Sequence, residues 1–269
     1  MEWRNGATKR RNGMREGRYL LNIEQMLEGS GRDALFREAF ERIDGTRRQK
    51  VLSVKNARSQ AAGIGAGLLI RKALADHMTE CRAEPGAECA AERPVLECFA
   101  VEELLSMLER RNAEPCYRYG KNGKPYLKDH PFQFNLSHSG DYVFCGVSNR
   151  EIGVDIQKIQ GDNMLRLAKR FFAAPERRAL DACGDEELRR RMFFRMWVRK
   201  EAYGKLTGEG IPGAVGKCLW REDPVGEETS DRDMEKELWW ENDLVWEEYD
   251  VPYGYRMAVC RFRWETASG

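Results

Sequence analysis

Three short β-like runs, FQFNL, YVFCGVS and IGVDIQ, are crowded into residues 132–157, and no other feature constrains the fold as strongly. They are rich in β-branched and aromatic residues. The turn-forming SHSGD and the hairpin-length NREI separate them, so the stretch predicts antiparallel strands folding back on one another. A long helical pattern follows, DEELRRRMFFRMWVRKEAYGKLTG, with Gly208 as its stop signal. Strands and helices in this mixture indicate an α+β architecture.

The remainder of the chain can be read around that centre. Residues 1–17 are polar, basic and aperiodic, and predict a loose tail; RYLLNI predicts the first strand. Ser30, three residues before Asp33 and ahead of Leu35, Phe36, Ala39, Phe40 and Ile43, predicts a capped helix. In AAGIGAGLLIRKAL no β-run precedes the glycines and no acid follows at about 20 residues within a βαβ unit, so a dinucleotide loop is disfavoured. Gly63, Gly65 and Gly67 are better explained by a helix that packs close to its neighbour. Residues 79–97, rich in Ala, Glu and Pro, predict a loop insertion, and Val101, Leu104, Leu105 and Leu108 a helix. NMLRLAKRFF predicts a further helix, REDPVGEETSDRDMEKE a charged loop, and ELWWENDLVWEEYD with GYRMAVCRFRWE closing antiparallel strands. The expected division is a tail over 1–17, one half over 18–149, a second over 150–262 and a short tail over 263–269.

Composition excludes several classes. The 269 residues are 42% hydrophobic with a net charge of +1, which is enough for a core but gives no global field to recruit nucleic acid or an anionic membrane. No apolar run approaches the roughly 20 residues that span a bilayer, and the N-terminus lacks a secretory pattern, so a cytoplasmic protein without a membrane partner is expected. The eight Cys form no C-x-x-C pair, and reduced thiols rather than a zinc or redox motif are expected.

Two patterns could hold chemistry. A period of two along GVDIQ puts Asp155 and Gln157 on one strand face, and Trp197, Glu201 and Lys205 at i, i+4, i+8 share one helix side. If those faces meet, two carboxylates and an ammonium form a clamp for Mg²⁺ on a diphosphate. Spacing alone equally allows a surface Glu201–Lys205 pair, worth about 0.3–0.5 kcal/mol. His138 between Ser137 and Ser139 reads either as a turn residue or as an anion donor. The predicted hairpin over 142–155 would return Asp155 toward His138.

Taken together, GKPYL, FQFNLSHSGDYVFCGV, IGVDIQKI, AKRFF, FFRMWVRKEAYGKLTGEGI and YGYRMAVC resemble the Sfp-type 4'-phosphopantetheinyl transferases, over roughly residues 18–262. The resemblance implies a pseudo-dimer of two similar α/β halves, each a small, mainly antiparallel sheet packed with a long helix. It implies coenzyme A as substrate, bound in the cleft between the halves, and transfer of its phosphopantetheine arm to a serine of an acyl or peptidyl carrier protein, releasing 3',5'-ADP. Asp155 and Glu201 would ligate Mg²⁺, with Mn²⁺ as the alternative ion; Glu201 would also be the base, and Lys205 would hold a diphosphate oxygen. Lys124, Ser137 and His138 match positions that contact coenzyme A phosphates. Trp197 and Lys200 belong to the W-x-x-K-E block, where Trp197 is packing or contact.

Gln157 departs from the pattern, since many relatives have an acid there. It would serve as a metal ligand through its carbonyl oxygen or through a water. Lys50, Lys55 and Arg58 lie where the family uses basic residues for the 3'-phosphate. Met164, Leu165, Phe171 and Phe172 mark a face that would either dock an acidic carrier helix or lie in the core. A chain with two halves is expected to be a monomer. The competing readings are a non-catalytic relative that binds coenzyme A or a carrier protein, favoured by Gln157, and a nucleic-acid module resting on the basic tail and the 47–58 patch, which lacks any zinc-finger or RNP-like motif.

Overall fold

A computed structural model describes residues 16–80, 94–108, 115–120, 122–128, 130, 132–161, 163–220, 237–241, 244–249 and 254–263. Two four-stranded sheets dominate it. The first has the order β2 (Leu96–Ala100), β1 (Gly17–Asn22), β6 (Tyr142–Ser148), β5 (Gln133–Ser139); only the β1–β2 pair is parallel. The second has the order β7 (Ile152–Lys158), β10 (Tyr255–Phe262), β9 (Leu244–Tyr249), β8 (Glu237–Glu241), antiparallel throughout. A small hairpin, β3 (Tyr117–Tyr119) with β4 (Pro125–Leu127), stands apart.

Each sheet carries one long helix. Strand alternation turns Leu21, Val143 and Cys145 toward α3 (Ala57–Glu80), where they share a core with Ile64 and Leu68. The opposite face sends Leu20 and Phe144 against Val154, Ile156, Met257 and Val259 of the second sheet. The far face of that sheet sets Ala258, Cys260 and Trp246 against Val198, Ala202 and Leu206 of α7 (Glu186–Thr207). The result is a helix–sheet–sheet–helix stack of two similar halves with an apolar layer at its centre, an α+β fold as expected.

The glycine stripe packs as its sequence suggests. An added methyl would lie 2.9 Å from Val51 at Gly63, 3.0 Å from Val143 at Gly65, and 2.5 Å from Ile43 at Gly67. Here α3 passes over β1, β6 and α2 (Gly45–Leu52).

Four expectations need correction. The NREI segment is not a hairpin turn, because β6 already pairs with β5 on one edge and β1 on the other, leaving no ladder for β7, which pairs with β10. The predicted insertion is shorter at both ends: α3 runs to Glu80, and residues 96–97 open β2; residues 81–93 lie outside the described set. Helix α1 (Arg32–Arg42) starts after Gly31 with no side-chain cap, so Ser30 does not cap it. A helix, α6 (Ala174–Ala182), follows α5 (Met164–Phe171) where none was expected. The tail over 1–15, the loop over 221–236 and the end over 264–269 lie outside the described residues.

Candidate functional site

The seam between the sheets is where polar residues gather. Phe134 faces the first core, so Asn135, Ser137 and Ser139 face away from it toward β7, whose outer edge has no strand partner among the described residues. The Asn135 carbonyl oxygen accepts from the Val154 N–H at 3.0 Å, and the Ser139 hydroxyl accepts from the Lys158 N–H at 3.0 Å. Between them, the Ser137 hydroxyl donates to Asp155 Oδ1 at 2.6 Å. Side chains of β5 thus satisfy backbone donors that a neighbouring strand would otherwise take.

On its other face β7 lies under α7. That helix starts at Asp185, whose carboxylate accepts from the Leu188 N–H at 2.7 Å, and ends at Gly208 in the left-handed conformation, φ 74°. Gly153 allows the close approach: a methyl there would collide with the Ala202 carbonyl and sit 2.5 Å from the Leu206 nitrogen. With the helix seated so low, its 201/205 side reaches Asp155. Lys205 Nζ lies 2.7 Å from Asp155 Oδ1 and donates to Ser137 Oγ at 2.7 Å. Gln157, two residues along the strand, donates from Nε2 to Asp155 Oδ2 at 3.1 Å.

Asp155 is almost wholly buried, and all three of these partners converge on its carboxylate. Glu201 is half-buried nearby. Burial first, then the Asp155 charge, push its carboxyl up to about 7, against the opposing pull of Lys205. A carboxyl in that position is poised to exchange a proton near neutral pH. His138 is exposed at its rim; desolvation of the rest, then Lys205, hold it below its ordinary range, with Lys50 adding and Asp155 opposing. Asp155, Glu201, Lys205, Ser137, His138 and Gln157 therefore form one cluster.

The remaining candidates lie around it. Lys50 faces His138 from the end of α2, and Lys55 is exposed in the link to α3. Arg58, in the first turn of α3, pairs with Asp141 of the β5–β6 turn, which also faces Lys158 at 3.5 Å and receives the Tyr255 hydroxyl at 3.3 Å. Asp141 and Tyr255 were not picked out from sequence; the SHSGD turn was the available signal. Lys124 sits farther along, on Glu151 at 2.5 Å and on the carbonyls of Ile152 at 3.1 Å and Leu206 at 3.3 Å. Lys200 is internal: fully buried, it pairs with Glu176 at 2.9 Å and donates to the Lys217 carbonyl at 2.6 Å. Trp197 stacks on Phe193, ring centroids 5.9 Å apart, and also meets Phe171 and Phe172, so it packs. Phe172 is buried, while Leu165 is exposed on α5 beside a groove lined by Met164, Leu180 and Phe193.

Asp155 and Glu201 offer the oxygen donors that a hard divalent ion requires, so the residues fit such an ion. Among the described residues, no group of three or more His, Cys, Asp and Glu side chains gathers to hold a metal. Any ion here would rest on two carboxylates and on oxygens from elsewhere.

The site and stack define a two-half protein with an acidic, lysine-flanked centre astride its seam, and comparison with known proteins shows what its second half is similar to. Residues 151–260 match the family model of the 4'-phosphopantetheinyl transferase superfamily. The 4'-phosphopantetheinyl transferase psf-1 of Bacillus pumilus is 38% identical over 140 residues, which cover 52% of this chain and 57% of that protein. Sfp of Bacillus subtilis strain 168 is 33% identical over 142 residues, covering 51% and 59%, and HetI of Nostoc sp. strain PCC 7120 is 42% identical over 101 residues, covering 35% and 42%. The chain spans about half the length of the curated relatives it matches. The likeness to the 4'-phosphopantetheinyl transferase superfamily is thus shown for residues 151–260, the half of the chain that carries Asp155, Glu201 and Lys205.

Proposed function

We propose that the chain transfers the 4'-phosphopantetheine arm of coenzyme A to a serine of an apo acyl or peptidyl carrier protein. The observation that carries this reading is the Ser137–Asp155–Lys205 triangle with Glu201 beside it, a set of donors and carboxylates suited to a diphosphate under attack. In the reaction, the carrier serine oxygen bonds to the phosphorus that bears the pantetheine arm. The bond from that phosphorus to the bridging oxygen breaks, and 3',5'-ADP leaves with the electron pair.

Each residue has a defined task. Glu201 accepts the serine proton, which its elevated proton affinity suits. Lys205 moves from Asp155 to a diphosphate oxygen and balances the charge that builds on the leaving group. Ser137 and His138 donate to the phosphates from the β5–β6 turn. Lys50, Lys55 and Arg58 rim the cluster and would meet the 3'-phosphate, with Lys124 on the diphosphate side. Asp155 and Glu201, with Gln157 adjoining, would hold Mg²⁺, or Mn²⁺ in its place. When bound, that ion supplies charge neutralisation to the diphosphate.

The docking face for an acidic carrier helix would be α5, where exposed Leu165 adjoins Lys169 and Arg170. No described helix is long and apolar enough to cross a membrane. A monomer acting in the cytoplasm, without a nucleic-acid partner, completes the proposal. The test is incubation with Mg²⁺, coenzyme A and an apo carrier protein, followed by mass spectrometry. Addition of the arm's mass to the carrier is expected. Retention of coenzyme A without transfer would instead favour a non-catalytic binder, the reading that a neutral Gln157 supports.

A further inference from the structure

Away from the acidic cluster, one hydroxyl joins the two halves at the turn that follows His138. Tyr255 opens β10 in the second sheet; its ring is buried in the central layer and meets Tyr142 of the first sheet edge-on, centroids 5.0 Å apart. The hydroxyl reaches the β5–β6 turn, where it accepts from the Asp141 N–H at 3.1 Å and donates to Asp141 Oδ2 at 3.3 Å. A buried tyrosine hydroxyl needs partners, and here both come from one residue of the opposite half. The turn is shaped to receive it. Gly140 is left-handed, φ 55°, and an added methyl would collide with the Tyr255 hydroxyl and lie 2.9 Å from the Lys158 side chain.

Asp141 also faces one cation from each half, Arg58 of α3 and Lys158 of β7, the latter at 3.5 Å. Its carbonyl accepts from the Ile23 N–H at 2.8 Å, which ties the turn to its own half. The two ion pairs are partly exposed and by themselves would hold the turn only weakly. The hydroxyl, carried by a ring fixed in the apolar layer, decides where the turn stands. We propose that Tyr255 is a positioning residue: through Asp141 it sets the β5–β6 turn, and with it the stance of Ser137 and His138 toward the phosphates of coenzyme A. The inference rests on the proposed function and deepens it, because phosphate recognition by the first half then depends on a side chain of the second.

The experiment uses the full chain and Tyr255→Phe, which keeps the buried ring and its contact with Tyr142 and removes only the hydroxyl. Two readings are taken: imidazole signals by nuclear magnetic resonance, and the Kd for coenzyme A by calorimetry. The chain has three histidines, and the His138 signals are assigned by their loss in His138→Gln. His77 and His130 sit against Phe132 of the first core and serve as internal references. In Tyr255→Phe the His138 signals should move while the references hold, and coenzyme A should bind about three- to tenfold more weakly. Asp141→Ala should act in the same way, and the double variant should be no worse than the stronger single, since both act through one joint. Unmoved His138 signals, an unchanged Kd, or fully additive singles overturn the inference and leave the proposed function standing. If circular dichroism shows Tyr255→Phe unfolded, Asp141→Ala decides by the same two readings. A parent chain that does not bind coenzyme A overturns both.

Discussion

Replacing Gly153 by alanine tests the geometry on which the site depends. The new methyl would sit 2.5 Å from the Leu206 nitrogen and collide with the Ala202 carbonyl. Both are helix backbone, so no side-chain rotation relieves the clash, and α7 must retreat by roughly 1.5 Å to reach ordinary contact. Ala202 adjoins Glu201, and Lys205 adjoins Leu206, so the side of the helix that carries the proposed catalytic residues moves with it. Overpacking of this kind costs about 1–3 kcal/mol of stability. A displacement of this size in a positioned group can lower a rate on the order of 10²-fold. Denaturant unfolding would measure the first effect and mass-spectrometric carrier loading the second, with Gly184→Ala, whose added methyl meets nothing within 4 Å, as control. A variant that loads carrier at the parental rate with unchanged stability would refute the argument that Gly153 seats the helix.

Three further outcomes follow from buried charge. Lys200→Met leaves the Glu176 carboxylate in the interior without its counter-charge, held by the Ala173 and Leu219 N–H groups, and should cost about 3–5 kcal/mol by denaturant unfolding; adding Glu176→Leu should return part of that loss. Arg18 binds both oxygens of Glu247, at 2.9 and 3.0 Å, within the central layer, and Arg18→Leu should destabilise by a similar amount, read from the same transition. Because the folded Glu201 carboxyl titrates near 7 rather than its ordinary 4.5, the metal-free folded chain holds an extra proton between those values. Stability should therefore fall as pH rises through that window and level off above it, and Glu201→Gln should remove this component when unfolding midpoints are compared across pH.

The site was more legible than the connections. Strand and helix periods act locally, and GVDIQ with W-x-x-x-E-x-x-x-K was enough to put Asp155 on one face and Glu201 with Lys205 on another. The choice of strand partner is a long-range competition. NREI is short enough for a hairpin, but β6 has both edges filled, by a strand more than a hundred residues earlier and by β5. β2 went unread because its five residues adjoin an Ala/Glu/Pro-rich stretch, and its parallel partner lies far away in sequence. Lys200 illustrates the same limit. A lysine on an amphipathic helix reads as solvated, and it is Glu176, from an unforeseen helix, with the Ala214 and Lys217 carbonyls, that makes its burial tolerable.

The two sheets are joined at β5 and β7 by three small polar residues rather than by a shared ladder. A clasp of that sort is adjustable one residue at a time, since changing Asn135 or Ser139 alters how firmly the halves grip without unravelling either sheet. Ser137 belongs to the clasp and to the proposed reaction centre alike, so drift in the alignment of the halves would register first as lost chemistry, while both halves stayed folded.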